Sequence, residues 1–242
     1  MPDRPPDRLP SLLLFAKSPV LGKVKTRLVP PLSPRGALDL YLAFLSDASS
    51  AYLKPGRWNA VLEAEPDPED PALAALFAPP WTRRQQSPGD LGSRLSGAFR
   101  REFSLGAPAV LAVGSDHPAL PVRLLEEALS ALAAGSQIAV VPAEDGGYCA
   151  IALTPAVPLE PLFHGIPWSS PAVLGATRER AARLNVRLAV LESSYDVDRP
   201  EDVVRLRSEI ASRDPSAADF PRATARALSA LLNGDGAYGS GD

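Results

Sequence analysis

The chain has 242 residues, a formal net charge of −3, and 45% hydrophobic against 22% charged residues. That length suits one α/β domain or two small ones with a sizeable core, and the composition excludes global disorder. A weakly acidic chain gives no general electrostatic reason to bind nucleic acid, and no run of about 18 apolar residues marks a membrane span.

Taken in chain order, MPDRPPDRLP is a polar, Pro-rich lead-in over residues 1–10 without the apolar stretch of a secretory signal. A single cysteine, Cys149, permits no internal disulfide, so a reducing cytoplasm is the expected compartment. SLLLFA (11–16) reads as a buried strand and 17–31 as a long loop. Ser33-Pro34 opens a helix to about Ser50, with Ser at the N-cap and Pro in the first turn. Strands follow at 58–64 and 82–86, with a short helix at 72–77 between them; 87–92 is turn-rich and is followed by a helix to about 103. AVLAVG (109–114) and QIAVVP (137–142) are further buried strands, separated by a helix at 122–134. YCAIALT (148–154) is another apolar run, followed by helix 171–184, strand 187–191 and helix 200–212. Residues 214–242 differ: a helix near 222–232, then a Gly-rich tail expected to fray. Alternating strands and helices predict an α/β domain over 11–213, with a central, mostly parallel mixed sheet flanked by helices. In such sheets ligands bind outside the carboxyl ends of the strands, so the residues after each strand are the candidates.

After the first strand stands KSPVLGKVKTR, with Lys17, Lys23, Lys25 and Arg27 around Gly22. Only four lysines occur in the chain, and three fall in this segment. Such a loop can cradle phosphates with backbone N–H groups and side-chain charge; a solvated basic loop is the plain alternative. It is not a Walker A loop, which would need Gly at 17 and Ser or Thr at 24, where Lys17 and Val24 stand. After the 109–114 strand comes SDHP, whose Asp116 can hold a divalent cation or merely cap the next helix. YDVDRP brings Asp196 and Asp198, two residues apart, which can complete a metal site with Asp116 or cap the helix from Pro200. EDGGY (144–148) offers Asp145 and the pair Gly146-Gly147, either for close approach of a ligand or as a hairpin turn. FHGIPWSSP (163–171) is an acceptor-binding loop or a packed connector. No His or Cys spacing suits zinc, no Gly-x-Ser-x-Gly elbow occurs, and Cys149 reads as a buried small hydrophobe.

Taken together, FAKSPVLGKVKTRL, SPGDLGSRL, VGSDHPAL, EDGGYCAIAL, LFHGIPWSSPAVL and YDVDRPEDV resemble, in this order over about residues 12–206, a bacterial glycosyltransferase family of GT-A fold sometimes labelled for arsenosugar biosynthesis. More distantly the chain is similar to phospholactate guanylyltransferases and the molybdenum-cofactor nucleotidyltransferases. Cys149 stands where family members often carry a second Tyr, and Ser170 and Arg199 where they often carry Thr. The resemblance implies a single-domain nucleotide-diphosphosugar transferase fold. It implies that Ala16, Lys17, Gly22, Lys23, Lys25 and Arg27 hold the nucleotide, with Gly89 and Asp90 near base or ribose. Asp116 would take the metal position, with Asp198 or Asp196 as its partner, for Mg²⁺ or Mn²⁺.

The expected reaction is transfer of a sugar from a nucleotide diphosphate donor to a small-molecule acceptor. Asp116, Asp145 and Lys25 are the expected catalytic groups, with Asp145 orienting or deprotonating an acceptor hydroxyl. Gly146, Gly147, Tyr148, Trp168 and Ser169 are the expected acceptor side. The alternatives are nucleotidyl transfer from an NTP with release of pyrophosphate, and a non-catalytic nucleotide-binding module. A homodimer is left open.

Overall fold

A computed structural model describes residues 8–232. The lead-in expected at 1–10 falls mostly outside them, as does the tail after 232. Strand β1 (Ser11–Lys17) is an inner strand, third in a seven-stranded sheet, and its apolar run explains why: both of its faces are covered. Leu12 and Leu14 point into one core and Leu13 into the other. Helix α1 (Pro34–Ala51) starts where Ser33 accepts the N–H of Gly36 at 3.0 Å, with Pro34 in the first turn. β2 (Asn59–Glu65), α2 (Pro71–Leu76) and β3 (Thr82–Gln85) extend the sheet to one side. α3 (Leu91–Ser104), capped by Asp90, returns the chain to β4 (Val110–Gly114), which pairs with β1 on its other side.

α4 (Val122–Ala133) leads to β5 (Ile138–Pro142), and only residues 143–147 separate β5 from β6 (Tyr148–Leu153). Five residues are too few for a crossover, so the two strands form a hairpin and β6 runs antiparallel to β4 and β5. α5 (Leu159–Phe163), α6 (Val173–Arg183), β7 (Leu188–Val190), α7 (Pro200–Ser212) and α8 (Arg222–Leu232) complete the chain. The strand order is β3-β2-β1-β4-β6-β5-β7. This is the mostly parallel mixed sheet expected from the sequence. The short α5, and one turn of 3₁₀ helix at Thr26–Leu28, were not expected; both sit in Pro-rich stretches that carry too few residues to show a period.

One face of the sheet packs against α1, α2 and α4, the other against α3, α5 and α6. A third cluster lies on the far side of α1, where Leu40 and Phe44 meet Leu206 and Ile210 of α7 and Leu228 of α8. Helix α1 is thus buried on two sides. It also fixes α8: Asp47, buried on α1, accepts the N–H groups of Ala223 and Thr224 at 2.9 and 2.8 Å. That satisfies two of the orphan donors at the start of α8. No helix among the described residues is long and apolar enough to cross a membrane.

Candidate active site

The chain order switches direction at β1, which has β2 on one side and β4 on the other, and a cleft opens at the carboxyl ends of these strands. The cleft has a volume of about 1130 Å³, room for a nucleotide and a second molecule. The loop after β1, the turn after β4, the β5–β6 hairpin and the segment after β7 all empty into it.

The end of β1 is held by Tyr41 of α1. The backbone N–H of Lys17 donates to the Tyr41 hydroxyl at 2.9 Å, and that hydroxyl donates to the carbonyl of Lys17 at 3.0 Å. Ser115 lies 3.4 Å from the same oxygen. Burial, reinforced by Asp116, pushes the Tyr41 phenol up to about 12, so it stays neutral and serves as a clamp. Beyond it the loop turns at Gly22 (φ 72°), then reaches Lys25 in the left-handed region (φ 47°, ψ 37°). A side chain there is uncommon. The conformation is over-determined by what Lys25 reaches: its Nζ lies 2.5 Å from Asp116 Oδ1, 3.1 Å from Asp198 Oδ1 and 2.8 Å from the carbonyl of Val197.

The Lys25 side chain is 3% exposed, whereas Asp116 and Asp198 are 45% and 44% exposed towards the cleft. Burial alone would lower the lysine pKa; the two carboxylates more than offset it and leave it above the ordinary value. An ammonium has three N–H donors, and three acceptors surround this one. Lys25 lines the cleft, and its ammonium stands as a counter-ion between Asp116 and Asp198. The cations left to face a ligand are Lys17, Lys23, Arg27 and, unforeseen from the sequence, Arg199, all on the cleft wall. Arg27 Nη1 also lies 3.5 Å from Asp198 Oδ2.

Neither aspartate is spent as a helix cap. The N-cap of α4 is Pro121, without a side-chain bond, and at α7 it is Asp202 that accepts the backbone N–H groups of Asp198 and Arg199, at 3.0 and 2.7 Å. Asp196, two residues before Asp198, also lines the cleft. Burial first, then the charges of Asp116 and Asp198, push its carboxyl up to about 7, a rise that Lys25 moderates. Burial, with the charge of Asp196 nearby, drives the pKa of the Cys149 thiol upward, so this cysteine is no thiolate nucleophile. Among the described residues, no group of three or more His, Cys, Asp or Glu is arranged to hold a metal ion.

Ala16, Gly89 and Asp90 line the cleft, the last two at the start of α3. Three neighbours that the sequence did not single out shape this end. Gln86 donates to the carbonyls of Ala16 and Glu63 at 3.2 and 2.8 Å, while Arg94 ties Glu65, Gln86 and the carbonyl of Gly89 together. On the other side, Asp145, Tyr148 and Ser169 line the cleft, and Asp145 accepts the N–H of Gly147 at 2.9 Å.

The remaining expected residues lie off the wall. Gly22 is the apex of a turn. Gly146 (φ 91°) backs onto the 169–172 segment, where a Cβ would come within 2.2 Å of the Pro171 carbonyl oxygen. Gly147 follows it in the turn and holds Asp145 through its N–H. The glycine pair therefore serves backbone packing, Gly146 against the 169–172 segment and Gly147 within the hairpin. Trp168 packs on Phe163 and edge-on to Tyr148, 6.2 and 6.3 Å between centroids, with its indole nitrogen against Gly92. It supports Tyr148 from behind and is not itself a cleft wall, since the aromatic core next to it takes up its ring.

Solved structures share this architecture. A protein from Desulfovibrio desulfuricans G20, provisionally described as a nucleotide-diphospho-sugar transferase, is 28% identical with a TM-score of 0.80, covering 92% of this chain and 96% of that one. A CMP:2-keto-3-deoxy-manno-octonic acid synthetase complexed with CTP is 13% identical with a TM-score of 0.53, covering 84% and 98%. A cytidylyltransferase from Leptospira borgpetersenii is 12% identical with a TM-score of 0.55, covering 93% and 94%. At those lower identities the likeness is one of fold. No curated protein matches the chain in sequence. The nucleotide-diphosphosugar transferase fold expected from the motifs is thus the one observed. The family model described as "Uncharacterized protein conserved in bacteria (DUF2064)" matches residues 48–170, and this chain belongs to that family.

Proposed function

We propose that the protein is a transferase that binds a nucleotide diphosphosugar in the cleft and moves its sugar to a small acceptor. The observation that carries this reading is the convergence of Asp116 and Asp198 on Lys25 beneath a wall of ligand-facing cations. Lys17, Lys23 and Arg27 are placed to meet the diphosphate. Asp145, on the opposite side, orients an acceptor hydroxyl and takes its proton. The bond between the anomeric carbon and the diphosphate breaks as the bond to the acceptor oxygen forms, and the nucleoside diphosphate leaves with the electron pair.

A divalent cation, Mg²⁺ or Mn²⁺, is part of the proposal. Two half-exposed carboxylates at one point of the cleft fit the taste of Mg²⁺ for one or two protein carboxylates plus phosphate oxygens and water. When bound, such an ion neutralises charge that develops on the leaving diphosphate. Asp116 and Asp198 would hold it, and Lys25 keeps these two carboxylates close before any ligand arrives.

The number of ligand-facing cations favours a second reading, nucleotidyl transfer from an NTP. Product analysis separates the two. Incubation with sugar nucleotides and a panel of small alcohols, with Mg²⁺, is expected to release a nucleoside diphosphate. Release of pyrophosphate from an NTP instead would overturn sugar transfer. Tight, unproductive binding of every nucleotide would make this a binding module.

A further inference from the structure

We propose that helix α7 braces the cleft carboxylates from behind, and that Arg205 is the positioning residue of that brace. Three aspartates that line the cleft each have a chain neighbour outside its lining: His117 beside Asp116, Glu144 beside Asp145 and Tyr195 beside Asp196. Each neighbour shares a peptide bond with its aspartate, so holding the neighbour restrains the backbone that carries the aspartate.

All three neighbours converge on α7. Arg205 donates two hydrogen bonds to the two oxygens of Glu144, at 2.6 and 2.8 Å. Its guanidinium lies 3.8 Å from the ring centroid of Tyr195. The Tyr195 hydroxyl donates to Glu209 at 2.7 Å. The buried His117 ring packs 4.5 Å from Tyr195 between centroids; its Nδ1 is 2.8 Å from Ser194 Oγ, and its Nε2 faces Glu209 at 3.8 Å. Asp202, Arg205 and Glu209 follow one another at spacings of three and four, which is a single helical stripe. Asp202 holds the backbone at Asp198, so α7 reaches one cleft aspartate directly and the chain neighbours of the other three.

The Arg205–Glu144 pair is about half exposed, and a lone pair of that kind adds little to stability. Its geometry is the informative part: a two-pronged fork that also stacks on an aromatic ring fixes orientation, which a point charge would not. The segments it joins, 143–147 and 194–198, lie beyond the ends of β5 and β7, where regular pairing has stopped except for a bridge from Ala143 to Ser194. Supporting groups of this kind typically change ligand-site affinity about 10- to 100-fold when removed.

The functional arm of the test rests on the nucleotide reading above; the structural arm does not. Amide exchange is compared in wild type, Arg205→Ala and Arg205→Lys, alongside calorimetric binding of the four ribonucleoside triphosphates with and without Mg²⁺. Expected in Arg205→Ala is exchange about tenfold faster at Glu144, Gly147 and Val197, with Ala223 and Thr224 unchanged. Lys restores little, because it cannot fork. The Mg²⁺-dependent part of nucleotide binding weakens about tenfold while metal-free binding holds. Unchanged exchange at the three amides would overturn the proposal. So would equal acceleration at Ala223 and Thr224, which would mean general loosening. If wild type binds no triphosphate, the nucleotide reading suffers, while the exchange result still decides the brace.

Discussion

Lys25 Nζ and Asp116 Oδ1 lie 2.5 Å apart, joining the loop after the central strand to the turn after its neighbour. The lysine is almost wholly buried and the carboxylate is not, so the pair sits on the floor of the cleft with one side wet. Replacing Lys25 by Met leaves Asp116 and Asp198 close together without their counter-ion. Fully buried pairs cost about 3–5 kcal/mol to break, but the exposure of both carboxylates calls for a smaller figure, about 1–2 kcal/mol. Denaturant titration checks this. Added Mg²⁺ is expected to raise the melting temperature of Lys25→Met more than that of wild type, because the carboxylates then have no cation of their own.

Lys17 and Lys23 face the cleft without the internal role of Lys25. Changing both to Ala is expected to weaken nucleoside diphosphates and triphosphates at least about tenfold and nucleosides hardly at all, since the lost attraction is to phosphate. Calorimetry across a nucleoside, monophosphate, diphosphate series measures it. A uniform loss along the series would place the phosphates elsewhere.

Asp47 caps α8 across 176 residues of chain. Asp47→Ala removes the acceptor for two backbone N–H groups, one of them fully buried, and is expected to cost about 1–2 kcal/mol. In a chain of this size that corresponds to a melting shift of about 2–8 °C. Asp47→Asn, which keeps an acceptor oxygen, should recover much of it.

Glu63 on β2 is completely buried, with Arg101 of α3 at 2.7 Å from one carboxylate oxygen and no partner on the other. Burial raises its pKa, and the pull of Arg101 and Arg84 only partly reverses that. The folded protein therefore keeps this proton at pH values where the unfolded chain has lost it. Stability from this group is greatest below the usual value of 4.5 and falls as pH rises through the folded pKa. Glu63→Gln cannot lose a proton. Its stability relative to wild type should climb from pH 4 towards neutrality, read from paired denaturation curves; parallel curves would contradict the shift.

The sheet was legible because buried strands announce themselves as apolar runs, as at 109–114 and 137–142, and the antiparallel turn of β6 follows from a connection of five residues. The acids and cations after each strand were legible by the same logic. Their individual duties were not. Lys17, Lys23 and Lys25 look alike in one dimension and all line the cleft; a left-handed backbone at the third accompanies its pairing with Asp116 and Asp198. Trp168 looked like a wall because aromatic residues in irregular loops often are, but Phe163 and Gly92 offer its ring a packed site. Gln86 and Arg205 lie outside the quoted motifs, and the motif that holds Arg94 does not show its tie to Glu65, because these partners come from elements far away in sequence.

The burial of α1 between the sheet and the α7–α8 layer has a practical side. Trimming the protein ahead of Pro221 would strip Leu228 from the outer flank of Leu40 and Phe44. A greasy stripe would then meet solvent on the helix whose Tyr41 anchors the mouth of the cleft. Shortened versions intended for crystallisation or assay should thus run through residue 232, or they will tend to clump and to slacken the loop after β1 at a distance.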